Sequence, residues 1–428
     1  MDDPTVGAKS FSPLRGWSDR ARGACLNSRS MPSDPTFRDP LPEICDFLVI
    51  GAGPAGLVAA YTLVSRRAGS VVLIDRRDPW REPVACGEGV HLKPFREVCP
   101  LPVESWIRQY IDRCKLATPE ASFVWQSPGD GAIIDRARMQ SDFSHEIARL
   151  GGLCHFRCRA VELSKLVDGL RTVRCEGEFQ GSLQARCVID ASGPASSLGK
   201  EEGLTPAKSD VEPAVFALVD GLDFDPGAIE MWYGSTFAPG GYAWLFPSGD
   251  GRANVGVVCG RGSGLAPREG LKRFLSHLKP GLEPAAVHGG AIPCGSGAGP
   301  LARDLLFKAG DSAAMVHPMD RSGIVEAMLA GRMSAENAVA ALAEPDESRR
   351  EVHYGRYRRS WRSAWGRNYA FVARIKPLFA RLDDGVWTAV FRDLAKIPIG
   401  KHRWRHAAWS GLKVLPRVAW SLARSRGR

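Results

Sequence analysis

The run Gly51-Ala52-Gly53-Pro54-Ala55-Gly56 constrains the fold of this chain more than any other feature. It follows the apolar run Cys45 to Ile50, which predicts a buried strand, and it opens the uncharged stretch Pro54 to Ser65, which predicts a helix. Val71 to Asp75 predicts a second strand. Together these segments predict a βαβ unit, the starting unit of a Rossmann-like parallel sheet.

The same unit predicts a dinucleotide site. Gly51 permits a tight turn, Gly53 lets a pyrophosphate approach the backbone, and Gly56 allows the helix to pack closely. The helix N-terminus favours the negative charge of the phosphates. Asp75 can accept hydrogen bonds from ribose hydroxyls and repels a 2′-phosphate, so NADP is not expected here. The alternative is a glycine-rich turn without a ligand. The candidate cofactor-binding residues of this unit are Gly51, Gly53, Pro54, Ala55, Gly56, Asp75 and Arg76.

Composition and cysteine usage exclude several other classes of protein. Glycines and a proline interrupt the uncharged stretch from Phe47 to Ser65, so it does not predict a membrane span. The 11 cysteines include no Cys-x-x-Cys pair, which predicts reduced thiols in a cytoplasmic protein and neither a metal site nor a disulfide scaffold. Residues 1–42 lack the pattern of a signal peptide and predict a flexible arm, with Met31 as an alternative start.

Two later segments indicate which dinucleotide is bound. Leu305 to Ile324 resembles the Gly-Asp box of FAD enzymes of the glutathione-reductase and aromatic-hydroxylase type, in which the aspartate, here Asp311, binds the ribityl chain. Val188 to Ser197 resembles a motif that these enzymes place close to the same dinucleotide. Plainer interpretations are a capped helix at Asp311 and an ordinary turn at Asp190. The resemblance implies FAD as the cofactor, bound also by Gly310, Asp311, Gly323 and Ile324.

Two more motifs narrow the resemblance to one family. Cys86-Gly87-Glu88-Gly89 and the run Gly241 to Pro247 (GYAWLFP) look like motifs of the geranylgeranyl reductase family, FAD enzymes that hydrogenate isoprenoid double bonds in chlorophyll side chains, archaeal lipids and quinones. Arg136 fits the family's arginine at the start of a helix that touches FAD, and Gly289 to Pro293 fits the strand before the Gly-Asp box. The family usually has glycine where this chain has Ala314 and Arg321. Arg321 is therefore expected to alter cofactor affinity, access of the electron donor or the charge preference for the substrate.

Four residues are candidates for catalysis. Tyr242, Trp244 and Phe246 alternate, so on a strand they share one face and can line an apolar slot for a prenyl chain. The alternative is an ordinary hydrophobic core. The resemblance places Cys86 at the active site, although a lone cysteine is also a common small buried residue. The implied reaction is delivery of a hydride from reduced FAD to a carbon–carbon double bond, with a proton from a site donor or water.

Other activities and partners stay open at this stage. An FAD-dependent monooxygenase, either a hydroxylase or a halogenase-like enzyme, shares the same FAD motifs, and a non-catalytic flavin-binding membrane adaptor is a further alternative. The chain has no second glycine motif between a strand and a helix. Electrons are therefore expected from transiently bound NAD(P)H or from a reduced protein of the ferredoxin type.

The positive charge is concentrated near the C-terminus. The region from Arg349 to Arg428 has 20 basic and 4 acidic residues, a net charge of +16, whereas the whole chain has +10. It also holds six of the 12 tryptophans. This pattern predicts short helices on the inner face of a membrane, where a prenylated lipid or pigment substrate would be presented. Nucleic-acid binding, which is not expected, and a helical cap with inward-facing tryptophans are the alternatives.

The predicted architecture is α/β, with a Rossmann-like, three-layer FAD-binding domain, an antiparallel β-sheet substrate domain and a C-terminal helical region. The FAD-binding domain is discontinuous. The irregular stretch from Arg81 to Pro128 is expected to be an inserted loop region. The predicted segments are 43–100, 130–205 and 289–345 for FAD binding, 101–129 and 206–288 for the substrate sheet, and 346–428 for the basic, Trp-rich region.

Overall fold

Two eight-stranded sheets organise the described part of the chain, which comprises residues 40–78, 84–204 and 210–396 of a computed structural model. The strands are β1 (Ile44–Ile50), β2 (Val71–Ile74), β3 (Gly89–His91), β4 (Ile107–Thr118), β5 (Ala121–Ile134), β6 (Leu153–His155), β7 (Cys158–Leu163), β8 (Arg171–Gly177), β9 (Gly181–Asp190), β10 (Val211–Val219), β11 (Ala228–Trp232), β12 (Tyr242–Pro247), β13 (Ala253–Val258), β14 (His288–Pro293), β15 (Ala302–Arg303) and β16 (Leu306–Lys308). The helices are α1 (Pro54–Ser65), α2 (Leu92–Val98), α3 (Arg136–Arg149), α4 (Pro267–Leu278), α5 (Ile324–Ala343), α6 (Glu347–Trp361), α7 (Arg367–Phe379) and α8 (Asp384–Ala395).

The first sheet contains the predicted βαβ unit. Its main order is β15-β16-β9-β1-β2-β6, and β1 pairs in parallel with both β2 and β9. Helices α1 and α5 cross closely on one face, where a Cβ on Gly331 would lie 2.1 Å from the carbonyl oxygen of Ala55. The buried apolar residues on this face form one core with the helices, and the opposite face of the sheet carries a second cluster that includes Leu48 and Val188. The Rossmann-like fold is confirmed, and α1 has the predicted bounds.

The second sheet is mostly antiparallel and separates two apolar clusters. Its order is β14-β10-β13-β12-β11-β4-β5-β3, and only the β11–β4 pair is parallel. On one face, Leu271 and Phe274 of α4 pack against residues such as Leu245 and Val255. The other face carries aromatic residues of the predicted motif Gly241 to Pro247. The predicted antiparallel sheet is therefore present.

The structure differs from the sequence expectation in two places. The expectation of an inserted loop between Arg81 and Pro128 is wrong for most of its length, because α2, β4 and the first part of β5 lie there. In β4, five successive residues from Asp112 to Leu116 are partly exposed, which weakens the period of two that identifies a strand. The exposure of β5 does alternate, but Pro128, Gly129 and Gly131 give its sequence the composition of a loop. The strand at Gly289 to Pro293, grouped with the FAD-binding segments above, pairs with β10 in the second sheet.

Helix α6 packs into the protein core. Tyr357 is fully buried and its hydroxyl donates to the Lys308 carbonyl oxygen at 2.8 Å, while Nε1 of Trp361 donates to the Ser296 carbonyl oxygen at 2.9 Å. The alternative interpretation, a helical cap whose tryptophans face inward, therefore describes α6. The remaining predictions for the two ends of the chain concern residues 1–39 and 397–428, including Trp404, Trp409 and Trp420, which lie outside the described residues. In the described part of the chain, no helix combines the length and apolar character needed to cross a membrane.

Candidate functional site

The glycines of the first turn have different structural roles. Gly51 has φ +104°, and a Cβ there would lie 2.2 Å from the carbonyl oxygen of Ala191. A Cβ on Gly56 would lie 1.7 Å from the carbonyl oxygen of Gly51. A Cβ on Gly53, by contrast, would meet no atom within 4 Å. The protein's own packing therefore requires Gly51 and Gly56, whereas Gly53 leaves open space at the N-terminus of α1, the location suited to a phosphate group.

Asp75 is hydrogen-bonded to this turn. Its Oδ2 accepts from the backbone N–H of Ala52 at 2.6 Å, and its Oδ1 accepts from that of Arg77 at 2.7 Å. Burial raises the pKa of Asp75, and the two backbone hydrogen bonds oppose that rise. A cavity of about 130 Å³ is lined here by Gly51, Asp75 and the exposed Arg76. The residues predicted for the ribose end of the dinucleotide therefore lie together.

The Gly-Asp box lies against α1. Gly310 has φ +66°, and a Cβ there would be 3.0 Å from Cβ of Ala55. Gly323 caps α5, which Ile324 begins. Burial raises the pKa of Asp311 to about 6, and the positive charge of Arg136 opposes that rise.

Arg136 supplies an unpaired donor in this region. Only 5 % of the residue is exposed, and its Nε has no hydrogen-bond partner within the described part of the chain. Buried donors usually have partners, so this one indicates a ligand. A ligand that carries phosphates and hydroxyls, as FAD does, fits the open turn at Gly53, the carboxyl of Asp311 and the free donor of Arg136.

A hydrogen-bonded chain connects the aromatic strand β12 to the Cys86 loop. Nε1 of Trp244 donates to Oδ1 of Asn254 at 2.9 Å, and Nδ2 of Asn254 donates to the carbonyl oxygen of Cys86 at 2.9 Å. Phe246 lies against the same loop, because a Cβ on Gly87 would be 3.2 Å from its ring. Trp244 and Phe246 therefore hold the loop that carries Cys86.

The pKa of the Cys86 thiol is influenced by Arg136 and by Asp311 of the Gly-Asp box. Burial raises its pKa, the charge of Arg136 opposes this rise, and the carboxyl of Asp311 adds to it. The thiol is therefore neutral at pH 7, since an ordinary cysteine titrates near pH 8.5. The structure brings Cys86, Arg136 and Asp311 together from three separate segments of the chain.

Sequence reasoning missed Asn254. It lies opposite Phe246 in the β12–β13 register and is only 1 % exposed. The available signal was a single amide in the otherwise apolar strand Ala253–Val258, because a buried amide must find partners.

Tyr242 takes no part in this chain of hydrogen bonds, although its ring packs edge-on against Trp244 with centroids 6.2 Å apart. Its hydroxyl donates to the carbonyl oxygen of Asp320 at 2.6 Å, and the guanidinium of Arg321 lies 4.9 Å from its ring centroid. Arg321 has φ +61°, in the region that favours glycine, and pairs with Glu212 at 2.9 Å. Arg321 thus keeps the backbone conformation of the family's glycine, and its side chain forms an ion pair with Glu212 of β10.

Two neighbouring cavities adjoin the Gly-Asp box. The larger, of about 930 Å³, is lined by Asp311, Glu212 and Lys376, among others, together with the loop 293–301. The smaller, of about 290 Å³, is lined by residues that include Arg321 and Lys376. The linings of these two cavities do not include Tyr242, Trp244 or Phe246, which are packed in the apolar cluster of the second sheet.

Asp190, in the segment that resembles an FAD-proximal motif, is fully buried and has a structural role. Its Oδ2 lies 2.7 Å from Nζ of Lys308, which is also fully buried, and Oδ1 accepts from the backbone and hydroxyl of Ser192. Such a paired carboxylate has its charge compensated within the protein. Asp190 itself therefore forms a hydrogen-bonded turn, while Ser192 and residues 195–197 of the same segment line the cavity of about 130 Å³ at Gly51 and Asp75.

Comparison with known proteins identifies the family. Residues 210–291 match the family model "Geranylgeranyl reductase catalytic domain", and residues 46–227 match the model "Lycopene cyclase protein". The chain is 32 % identical to digeranylgeranylglycerophospholipid reductase 1 of Methanopyrus kandleri over 79 % of this chain and 91 % of that protein. The chain belongs to the geranylgeranyl reductase family. It is therefore an FAD-dependent oxidoreductase, as the sequence motifs predict.

Solved structures agree with this family assignment at the level of the fold. A geranylgeranyl bacteriochlorophyll reductase-like protein from Thermoplasma acidophilum superposes with a TM-score of 0.77 at 22 % identity, covering 89 % of this chain and 99 % of that chain. The myxobacterial chondrochloren halogenase, an FAD-dependent halogenase, superposes with a TM-score of 0.62 at 18 % identity, covering 87 % and 90 %. The reductase family thus shares its fold with FAD enzymes of other activities.

Proposed function

We propose that this member of the geranylgeranyl reductase family reduces carbon–carbon double bonds of a geranylgeranyl-type chain on a lipid, pigment or quinone. The observation that carries the proposal is the Trp244–Asn254–Cys86 chain of hydrogen bonds. It connects the GYAWLFP motif to the Cys86-Gly87-Glu88-Gly89 motif and ends at the backbone carbonyl oxygen of Cys86. The charges of Arg136 and Asp311 influence the pKa of the thiol of the same residue. The name of the Methanopyrus kandleri relative supports a prenylated lipid as the substrate.

The residues proposed to hold FAD come from three segments. The open turn at Gly53 and the N-terminus of α1 would receive the pyrophosphate, and Asp75 the ribose hydroxyls. Asp311 would accept from the ribityl hydroxyls, and Arg136 would donate through its free Nε. When bound and reduced, FAD supplies the hydride for the alkene.

The substrate side is proposed to provide an apolar surface and a proton. Trp244 and Phe246 are proposed to hold the Cys86 loop beside the prenyl chain, Trp244 through Asn254 and Phe246 through its contact with Gly87. Cys86 holds a proton at Sγ at neutral pH because burial raises its pKa, so it can serve as an acid and is not a preformed thiolate. The role of Tyr242 is proposed to be support of the Arg321 side chain, since these two residues contact each other.

The pKa of Asp311 gives a test of its proposed contact with FAD. Ribityl hydroxyls donate best to an ionised carboxylate, so binding requires Asp311 to be deprotonated, which holds above its raised pKa of about 6. Affinity for FAD is therefore expected to fall as pH is lowered through that value, by about ten-fold between pH 7 and pH 5. Titration of the apoprotein with FAD, followed by flavin fluorescence, measures this change.

The matched variant for the pH experiment is Asp311→Asn. It should bind FAD more weakly at pH 7, by about ten-fold, because a charge-assisted hydrogen bond is replaced by a neutral one. Its affinity should also lose most of the pH dependence below pH 7. An unchanged pH profile in this variant would assign the titration to another group and remove the contact proposed for Asp311.

Mass spectrometry distinguishes reductase from monooxygenase activity. The holoenzyme is reduced anaerobically with dithionite, which replaces the unidentified electron donor, and is then mixed with a geranylgeranyl phospholipid. Reduction adds two hydrogens, so we expect products heavier by about 2 Da per double bond. Products heavier by about 16 Da, formed only with oxygen, would support a monooxygenase. Absence of any product from a flavin-loaded enzyme would favour the adaptor.

Membrane placement and the electron donor complete the proposal. A lipid substrate and the excess of basic residues after Arg349 support peripheral contact with the inner face of a membrane by a cytoplasmic protein. NAD(P)H and a ferredoxin-type protein are both retained as donors. Steady-state assays with each donor, at equal concentrations of flavin-loaded enzyme, distinguish them by the rate of flavin reduction.

A further inference from the structure

Helix α7 lies beside both cavities of the candidate site. Ala373, Lys376 and Pro377 line the cavity of about 930 Å³, and Lys376 also lines the smaller one. Nζ of Lys376 pairs with Oε1 of Glu212 at 2.7 Å and with Oδ2 of Asp210 at 2.9 Å. These two ion pairs attach the inner face of α7 to the second sheet, next to the space around Asp311.

The opposite face of α7 is exposed and combines positive charge with apolar side chains. Arg367, Phe371, Arg374 and Leu378 follow one another at spacings of four, three and four residues, and Arg381 follows three residues later in the turn after the helix. At 3.6 residues per turn these positions lie along one stripe of the helix. The residues of this outer stripe are all exposed, with Phe371 at 60 % and Leu378 at 44 %.

Within the described part of the chain, no ion pair neutralises the charges of the outer stripe. Helix α7 contains no acidic residue. In the ranges that the structure describes, Arg367, Arg374 and Arg381 take part in no ion pair with another side chain. Three free guanidinium groups flank two large exposed apolar side chains, an arrangement suited to the boundary between anionic headgroups and acyl chains.

We propose that the outer stripe of α7 docks on an anionic phospholipid bilayer and presents the cavities on the inner face of α7 to the lipid. Charge complementarity favours this partner over a second copy of the chain, because two stripes with three arginines each would repel one another. The assignment of a lipid as the substrate rests on the proposed function. The docking surface is defined by its own residues and does not depend on the reaction.

Vesicle binding by the full-length holoenzyme tests the docking surface. The probes are vesicles of phosphatidylcholine alone and with about 30 % phosphatidylglycerol, and the variant replaces Arg367, Arg374 and Arg381 with glutamine. Each arginine near an anionic surface contributes about five-fold in affinity, so the triple variant should bind the anionic vesicles on the order of 100-fold more weakly. Phe371→Ser with Leu378→Ser should abolish the part of the binding that survives high salt.

The control removes the same number of charges from another exposed helix. Arg268, Lys272 and Arg273 of α4 are exposed, and their replacement with glutamine should change vesicle affinity by less than about three-fold. Equal losses in both triple variants would overturn the proposal, because net charge alone would then explain binding. Unchanged binding by the α7 variant would also overturn it, as would a change in its oligomeric state without vesicles, which would assign the stripe to a second copy.

Measurements of turnover test the docking surface and the proposed function independently. With a prenyl lipid in detergent micelles, the α7 triple variant should reduce its substrate at the wild-type rate, whereas the rate on vesicle-embedded substrate should fall in parallel with binding. Equal losses in micelles and vesicles would overturn the role of α7 in presenting substrate. A wild-type enzyme that binds anionic vesicles through α7 but reduces no prenyl lipid would refute the proposed function and leave the docking surface supported.

Discussion

Gly53→Val is expected to abolish FAD binding while leaving the stability of the folded apoprotein unchanged. A side chain at this position meets no protein atom within 4 Å of its Cβ, so the fold itself tolerates it. The same space is where the pyrophosphate must approach the backbone at the N-terminus of α1. We expect affinity for FAD to fall by at least about 100-fold, since two branched methyl groups would occupy the position of the phosphate.

The measurement combines flavin content after reconstitution with thermal unfolding of the apoprotein. Gly56→Val is the contrasting variant, because its Cβ would lie 1.7 Å from the carbonyl oxygen of Gly51 and the helix would have to move. That variant should unfold at a markedly lower temperature or fail to fold. If Gly53→Val retained full flavin content, the phosphate site would have to lie elsewhere. If it lowered the unfolding temperature as much as Gly56→Val, the glycine would be structural.

The first βαβ unit was predictable because local rules determine it. A turn with φ +104° at Gly51 and a proline in the first turn of α1 restrict the backbone within a few residues. Asp75 follows from the same spacing, and its hydrogen bond to Ala52 connects residues of one unit. In this unit, the residues that form the pattern are also the residues that contact one another, so the pattern alone predicts the contacts.

The rest of the site depends on contacts that no local pattern specifies. Asn254 and Cys86 are 168 residues apart in the chain, and only the pairing of β12 with β13 places the amide at the cysteine loop. The position of β14 in the second sheet likewise depends on its partner β10 and not on its own sequence. The glycine-to-arginine departure at Arg321 was visible in the sequence, but its partner Glu212 was not.

Replacing Asn254 with alanine is expected to lower alkene reduction by about 100-fold while FAD remains bound. Asn254 is a positioning residue in this proposal, because it acts through Trp244 and the carbonyl oxygen of Cys86. Small displacements of reacting groups have effects of this order on rate. Trp244→Ala should give a similar loss, and the double variant should be little worse than either single variant, since both remove the same chain of contacts.

A buried asparagine elsewhere provides the matched control. Asn337 on α5 is 6 % exposed, and its Nδ2 donates to the carbonyl oxygen of Met333 at 2.8 Å. Asn337→Ala should lower the free energy of unfolding by about 1–3 kcal/mol, as expected for a lost buried hydrogen bond, without changing turnover. Equal turnover losses in Asn254→Ala and Asn337→Ala would indicate that both act through global stability, and the positioning role would be rejected.

Cys86→Ser and Cys86→Ala separate the chemistry of the thiol from its shape. Both variants keep the backbone carbonyl that Asn254 holds, so FAD content and the unfolding temperature should change little. Serine nearly preserves the volume but is a much weaker acid than a thiol. If the proton at Sγ is transferred during reduction, both variants should lose about 100-fold in turnover, as is typical of a lost general acid. If Cys86→Ser keeps full turnover while Cys86→Ala does not, the residue provides polarity and shape, and the proton must come from another donor such as water.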